Sequence, residues 1–373
     1  MRQMTSIGSR SSSVATGKWS GVGLSGMPKM VVRRVASGDL ALWQDYVDRM
    51  PEAGCMHHAA WYGVLCDAFW VEPYFLLATD KQSQVHGILP LYQSDSWITG
   101  RHISSLEEGI LSSCPEASRA LLSAALELRE RVGAKYLQIR GLADAALATK
   151  IIPTVHTVIP TDRSREALWR SIKKKTRWAI RQTSKQPITV ERDPDLAQLA
   201  SFYGVYARHM RGLGTPVMGF DMFESIRARL GKSRLRLYLV KYRKNIVGGM
   251  LCIVTSARWT DQYAIVLPSK EAEFANYLLY WHVICDANSC NVPHLDLGRC
   301  TPGSNVHLFK RKWGGIDIDV PYHFYAADAS SITNFGLEGL KRQKGVAQRI
   351  WPYVPPFLCN RVGPLLRKRL PFI

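Results

Sequence analysis

The residues with the strongest chemical character stand close together near the end of the chain, in "LDLGRCTPGSNVHLFKRKWGG", Leu295 to Gly315. On a strand, Leu295 and Leu297 would face a core and Asp296 the opposite side. The strand would end at Gly298 and Arg299. The glycine lets backbone approach a bound molecule closely, and the guanidinium is a planar, permanently charged fork suited to phosphate or carboxylate. A Thr-Pro-Gly turn then redirects the chain. "NVHLFKRKWGG" reads as one short helix on which Phe309 and Trp313, four apart, share a face. Lys310 lies beside Phe309, directed towards whatever the strand end binds. A fixed ammonium there could hold a phosphate or another anionic group. Asp296 could accept a proton, or bond Arg299 or a helix N-terminus.

A second cationic stretch is "RSIKKKTRWAIRQTSK". Leu168, Ile172 and Ile180 mark an apolar helix stripe, and Lys175, Arg177 and Arg181 spread over the other faces. Between Thr161 and Arg192 ten Lys/Arg stand against three Asp/Glu, a density that suits either an anionic ligand or a solvated face. Asn276, near a helix start, could cap it or touch a ligand. Tyr280 and Trp281 follow on the same helix, and Tyr263 in "TDQYA" belongs in a cleft or in a core. His57, His58, His209 and His282 lack partners at metal or triad spacing. No Ser or Cys stands in a nucleophile-elbow context, which argues against a covalent intermediate on either.

These residues need elements to hold them, and the same order of elements occurs twice. In the first half the strand "VHGILPLY" precedes the helix "EASRALLSAALELRERVG" and the strand "KYLQIRG". In the second half "VGGMLCIV" and "RWTDQYAIV" precede the helix "EFANYLLYWHVICDAN" and the strand "PHLDLGR". Val85 corresponds to Val247 and Leu137 to Leu295 at nearly equal offsets, the signature of a duplicated α/β unit. A hairpin turning at Arg243-Lys244-Asn245, together with a strand that follows a helix, predicts a mixed sheet flanked by helices in each unit. No GxGxxG follows a strand, which argues against a doubly wound nucleotide fold.

Composition sets the outer limits. With 373 residues the chain is long for one hydrophobic core and predicts two domains. The apolar period fades near Ala143 to Pro153. The expected division is a flexible leader over 1–29, units over 30–150 and 151–326, and a basic, apolar tail over 327–373. The formal net charge of +19 implies an anionic partner: a nucleic acid, a phosphate-bearing cofactor or an acidic membrane surface. The eight cysteines form no CxxC pair and no Cys/His zinc spacing, so reduced thiols in a cytoplasmic protein without metal are expected. The run "WYGVLCDAFWVEPYFLLA" is broken by Asp67, Glu72 and Pro73 and cannot span a bilayer. From Ser331 to Ile373 eight Lys/Arg and one Glu interleave with Trp351, Phe357, Leu365, Leu366 and Phe372. That mixture fits peripheral contact with the inner face of an anionic membrane, or packing across the two units.

The helix "LWRSIKKKTRWAIRQ", the segment "YARHMRGLGTPV", the helix "NYLLYW" and the run "LDLGRCTPGSNVHLFKRKWGG" occur in this order between Arg165 and Tyr325. Together they resemble the FemAB-like branch of the GNAT acyltransferase superfamily, in particular the FemAB-like proteins associated with bacterial exopolysaccharide and exosortase (PEP-CTERM) systems. The resemblance implies two tandem GNAT-like domains and N-acyl transfer, acetyl or aminoacyl, onto an amine of a cell-envelope or exopolysaccharide precursor. Acyl-CoA or aminoacyl-tRNA would be the donor. The family's Phe-Lys pair falls on Phe309 and Lys310, which places these two in the active site. Its K-x-R-x-x-I-R pattern falls on Lys175, Arg177, Ile180 and Arg181, as donor or acceptor contacts. Where the family shows an aromatic-acidic-glycine segment after the third strand, this chain departs with "SLEEGILSS". It also lacks the Q/RxxGxG/A phosphate loop of ordinary acetyl-CoA enzymes. The competing expectation is a non-catalytic basic module of the same fold that binds RNA or anionic membrane.

Overall fold

The computed structural model describes residues 30–69, 71–270, 272–329, 332 and 349–369. The expected leader and the tail residues 330–331, 333–348 and 370–373, Phe372 among them, fall outside these. The first unit runs β1 (Val31–Arg34), α1 (Leu40–Arg49), α2 (Ala60–Val64), β2 (Glu72–Thr79), β3 (Val85–Ser96), β4 (Gly100–Ser105), β5 (Leu111–Ser112), α3 (Pro115–Arg131), β6 (Tyr136–Arg140) and β7 (Lys150–Ile152). The second opens with β8 (Val155–Pro160), α4 (Arg165–Ser171), α5 (Lys174–Gln182), β9 (Ile188–Asp193), α6 (Leu199–Gly212) and α7 (Phe220–Leu230). It continues through β10 (Leu235–Tyr242), β11 (Asn245–Val254), β12 (Arg258–Val266), α8 (Ala275–Ser289), β13 (His294–Cys300), α9 (Asn305–Lys310) and β14 (Ile316–Asp319). Then come β15 (Tyr322–Ala326) and α10 (Pro356–Arg367).

The two sheets repeat one topology. The first is ordered β1-β2-β3-β4-β6-β15-β7, with β5 against β3, and the second β14-β8-β13-β12-β11-β10-β9. In each, every pairing is antiparallel except one: β4 with β6, and β12 with β13. Val85 and Val247 stand on β3 and β11, and Leu137 and Leu295 on β6 and β13, so the duplicated landmarks are equivalent strands. The sheets are also tied together. The short connection at 153–154 hands the chain from β7, in the first sheet, to β8, in the second. The segment 316–326 does the reverse, adding β14 to the second sheet and β15 to the first. The strand Tyr322–Ala326, expected inside the second unit, therefore completes the first sheet against β6.

Local sequence explains the elements that flank the site. In α3, Pro115 starts the helix where its missing N–H costs nothing. Ala117, Leu121, Leu122, Ala125 and Leu128 form its buried stripe on the first sheet. The expected hairpin turns through Arg243 and Lys244, with Tyr242 facing Asn245 and Arg243 at φ 55°. The expected single helix "LWRSIKKKTRWAIRQ" is broken. Ile172 and Lys173 are extended between α4 and α5, because Ile172 is drawn into the core and the Lys173 N–H donates to the carbonyl of Lys312 at 3.0 Å. The pair that breaks the helix thus docks it against the Lys310 region.

Three large apolar layers run through the described residues, beside a small cluster of Tyr136, Tyr322, Phe324 and Ile332. One lies between α3 and the first sheet, and one between the second sheet and α4, α5 and α8. The third is shared by both units, where Trp43, Trp61, Phe75 and Ile88 pack in one cluster with Phe202, Phe223, Leu237 and Leu251. Two domains were expected from length, and this shared cluster joins the apolar interiors of the two units. Each large side chain buried there contributes about 1.5–3 kcal/mol, so the units form a rigid frame for whatever lies between them. The tail is part of that frame. Cys359 and Gly363 of α10 are buried, Arg211 Nε donates to Val354 O at 3.0 Å, and Trp97 N donates to Arg369 O at 3.0 Å.

Candidate functional site

A cavity of about 540 Å³ opens between the two units. Its position follows from strand geometry. β12 and β13 pair only over Arg258–Thr260 and His294–Asp296, then part, and the register of β13 against β8 breaks between Asp296 and Arg299. Asp261 and Tyr263 from one strand, and Leu297, Gly298 and Arg299 from the other, line the opening. Gly298 has φ 74°, a left-handed value that favours glycine. A Cβ there would lie 3.2 Å from the carbonyl oxygen of Asp261, so this residue keeps the gap between the strands clear.

Lys310 closes the inner end. Its ammonium is buried and donates to the carbonyls of Gly298 at 2.7 Å and Arg299 at 3.0 Å. An ammonium has three donors, so one remains for the cavity that Lys310 lines. Burial lowers its pKa, against the pull of Asp261, Cys300 and Asp296. The Asp261 carboxyl is in turn pushed up by burial to about 6, although Lys310 and a 2.9 Å hydrogen bond from the Tyr280 hydroxyl hold it down.

Opposite stand two acids from the loop after β4. Glu107 accepts from the Tyr322 hydroxyl and lies 3.4 Å from Arg299 Nε and 3.7 Å from Arg140 Nη1. All of these engage Oε1, while Oε2 is buried without a hydrogen-bond partner. Glu108 has φ 74° and is followed by Gly109 at φ 58°, a sharp left-handed turn that aims both carboxylates inward. Oε2 of Glu108 accepts from Met56 N at 3.1 Å, and Oε1 lies 3.6 Å from Arg258. Gly54 makes the room, since a Cβ there would meet Oε1 of Glu108 at 1.7 Å. Burial pushes the Glu108 carboxyl up to about 7, in spite of Arg258 and the Met56 N–H.

Between these groups lies a histidine–aspartate pair. Nδ1 of His156, on β8, is 2.8 Å from Oδ2 of Asp296, on β13. The other carboxylate oxygen accepts from Gly298 N at 2.7 Å, and Arg258 stands 3.7 Å away. Burial works against the Asp296 charge, but His156, Arg258 and the Gly298 N–H together hold its carboxyl below the ordinary range. For His156 burial would lower the pKa. The hydrogen bond and charge of Asp296, with Glu107 and Glu108, outweigh it and raise the imidazole above 6.5. Nε2 of His156 is buried, has no hydrogen-bond partner and belongs to a residue that lines the cavity.

The expected site residues divide accordingly. The cavity brings together Lys310, Gly298, Arg299, Tyr263 and Tyr280, with Asp296 directly behind His156. Asp296 does face away from Leu295 and Leu297, which bury among the outer core. Phe309 and Trp313 do not line the cavity. Trp313 is fully buried and stacks on Tyr280 at 5.4 Å, and Phe309 packs edge-on to both. Their work is to fix α9 on α8. Asn276 is half-buried on the first turn of α8 and does not line the cavity either. Lys175, Arg177 and Arg181 stay on α5 outside it, with Arg181 over the Trp169 ring at 5.4 Å.

Four contributors escaped the sequence reading. Glu107 and Glu108 sit in "SLEEGILSS", where two acids before a glycine after a strand were a visible signal. His156 carries none, being 140 positions from its partner. Arg367 of α10 also lines the cavity, and burial lowers its pKa. His57 is buried with both ring nitrogens engaged, by Gly54 N and Gly109 O, and burial lowers it to about 4. Among the described residues no cluster of three His, Cys, Asp or Glu is placed to hold a metal ion.

Comparisons with known proteins agree with this architecture. Residues 169–311 match the family model described as an acetyltransferase (GNAT) domain. No curated protein sequence matches the chain. Among solved structures, FemX is similar with a TM-score of 0.59 at 14% identity, over 82% of this chain and 99% of that one. A tandem GNAT protein from the clavulanic acid biosynthesis pathway gives 0.52 at 13% identity, over 80% and 99%. L-PGS from Bacillus licheniformis gives 0.52 at 10% identity, over 86% and 98%. At these identities the likeness is one of fold, and that fold is a tandem pair of GNAT-like units, each a mostly antiparallel mixed sheet flanked by helices.

Proposed function

We propose that this FemAB-like GNAT protein is an N-acyltransferase that moves an acyl group from an anionic carrier onto an amine. The observation that carries the reading is the parting of β12 and β13 into a cavity closed by the Lys310 ammonium. A donor carbonyl held at the Gly298 gap would meet the remaining N–H of Lys310 as negative charge develops on its oxygen. A buried, preorganised donor of this kind contributes about 10²–10³-fold in rate. Asp261 and Asp296 stand close by and favour the charged form of Lys310. Arg140, Arg299 and Arg367 supply further positive charge along the same walls.

The acceptor side is acidic. Glu107 and Glu108 place carboxylates where an ammonium could be received, which supports an amine in preference to a neutral nucleophile. The acceptor we favour is an amino group on a cell-envelope or exopolysaccharide precursor, and the donor is acyl-CoA or aminoacyl-tRNA. Peripheral membrane contact fits the exposed face of the C-terminal helix, where Phe357, Leu358, Val362 and Leu365 are uncovered beside Arg361. No helix among the described residues is long and apolar enough to cross a membrane.

The test is a radiolabelled-donor assay with the full chain, comparing acetyl-CoA with aminoacyl-tRNA against extracted lipid-linked sugar precursors. Label incorporated from one donor, and lost with Lys310→Ala, supports the reading. Binding of RNA or vesicles without transfer from either donor would replace it with the non-catalytic module.

A further inference from the structure

We propose that His156 is the catalytic base of this transfer, that Asp296 is its positioning residue, and that the acceptor is a primary amine received between Nε2 of His156 and the second carboxylate oxygen of Glu107. The proposal rests on the acyl-transfer reading above and assigns its acceptor site.

The argument begins with unsatisfied atoms. Buried polar atoms are ordinarily hydrogen-bonded, and those that are not call for an explanation. Glu107 Oε2 and His156 Nε2 are among the buried side-chain atoms without a hydrogen-bond partner, and both residues line this one cavity. Both can accept. The carboxylate can only accept, and in the neutral imidazole Nε2 is the acceptor, since the short contact to Asp296 holds the proton on Nδ1. A primary ammonium brings three N–H donors to two waiting acceptors, whereas a hydroxyl brings one.

The pair is also built to hold one orientation. Asp296 is fully buried and fixed by Gly298 N and Arg258, so the imidazole it holds cannot turn without breaking a charged hydrogen bond. β8 positions the ring by simple alternation: Ile159 faces the outer core, which puts His156 on the face towards the first unit. His57, by contrast, has no free nitrogen to offer.

The step balances without any other reactant than an acyl ester or thioester donor. Nε2 of His156 takes one proton from the ammonium. The freed nitrogen lone pair forms a C–N bond to the donor's acyl carbon, and the carbon–oxygen or carbon–sulfur bond to the carrier breaks. The carrier's oxygen or sulfur leaves with that electron pair and takes the proton back from Nε2. The second proton that the nitrogen must lose passes to the Glu107 carboxylate and on to solvent, so the products are an amide, the free carrier and one proton.

The test uses the full chain and two nucleophiles, ethylamine and hydroxylamine, with the labelled donor that the wild type accepts. Hydroxylamine is already neutral near pH 7 and needs no proton removed before it attacks. His156→Gln is expected to slow transfer to ethylamine by about 10²–10⁴-fold and to leave transfer to hydroxylamine within a few-fold. Equal loss with both nucleophiles, or no loss with either, overturns the proposal. Should the wild type transfer from neither donor, the functional reading fails, and the site is then tested alone by ¹⁵N-histidine NMR. The groups facing His156 are Asp296 and Arg299 on β13, Glu107 and Glu108 on the loop after β4, and Arg258 on β12. Ethylamine is expected to shift Nε2 of His156 and not the His57 resonances, and Asp296→Asn to lower the His156 titration. An unshifted His156, or a titration unchanged in Asp296→Asn, overturns the base assignment.

Discussion

The ammonium of Lys310 lies 2.7 Å from the carbonyl oxygen of Gly298, so the cation that faces the cavity is anchored on the glycine that keeps the cavity open. In the proposed transfer, one contact therefore couples the charge of Lys310 to the shape of the cavity. Lys310→Ala removes the charge and leaves two buried carbonyls short of a partner. We expect transfer to fall by about 10²–10³-fold and stability by about 1–3 kcal/mol, read by single-turnover assay and urea denaturation. Loss of stability with an unchanged rate would make Lys310 purely structural.

Gly298 and Gly303 both adopt φ near 75°, at 74° and 76°. Only Gly298 is crowded, by Asp261 O at 3.2 Å, whereas a Cβ at Gly303 meets nothing within 4 Å. Alanine at either position is expected to cost about 1–2 kcal/mol of backbone strain. Gly298→Ala alone should also abolish donor binding, measured by the KM for the labelled donor. Equal effects at both positions would remove the donor channel from between β12 and β13.

Glu108 gives a pH signature. Its carboxyl is raised from 4.5 to about 7, so between those values the folded chain holds a proton that the unfolded chain has released. Stability contributed by the neutral form is therefore present at low pH and is lost as pH rises through about 7. Glu108→Gln keeps the acceptor for Met56 N and removes the charge. It is expected to be more stable than wild type by up to roughly 3 kcal/mol at about pH 8, and nearly equal at about pH 5. Denaturation midpoints at the two pH values check this, and a gain at the lower pH would reverse the sign.

The exposed apolar face of the C-terminal helix makes a separate prediction. Replacing Phe357 and Leu365 by Ser should weaken binding to vesicles containing anionic lipid by roughly tenfold or more. Thermal stability should hardly change, because 69% and 56% of these residues is exposed. Co-sedimentation with anionic and neutral vesicles reads the effect. Equal binding by variant and wild type would leave the face without a role at membranes.

The duplicated fold was legible because Val85 and Val247, or Leu137 and Leu295, repeat in strands whose alternation and bounding glycines can be read locally. Lys310, Arg299 and Gly298 were legible for a related reason, as they lie within one continuous stretch. Long-range pairing was not. The histidine is joined to Asp296 only by the register of β8 against β13, and β15 crosses to the first sheet through contacts that no local pattern encodes. Phe309 and Trp313 misled because an aromatic beside a lysine looks the same whether its ring meets a ligand or Tyr280. The cationic run on α5 likewise carries charge without position, since its side chains spread around a helix outside the cavity.

The most direct test of the account is the pH dependence of single-turnover transfer to an amine in wild type and Asp296→Asn. In wild type the rate should rise with pH through an apparent pKa above 6.5, where Nε2 of His156 becomes free to accept a proton. In Asp296→Asn the limb should move to lower pH, since burial alone lowers the imidazole, and the plateau should fall. A limb at the same pH in both proteins would contradict proton removal by the His156–Asp296 pair.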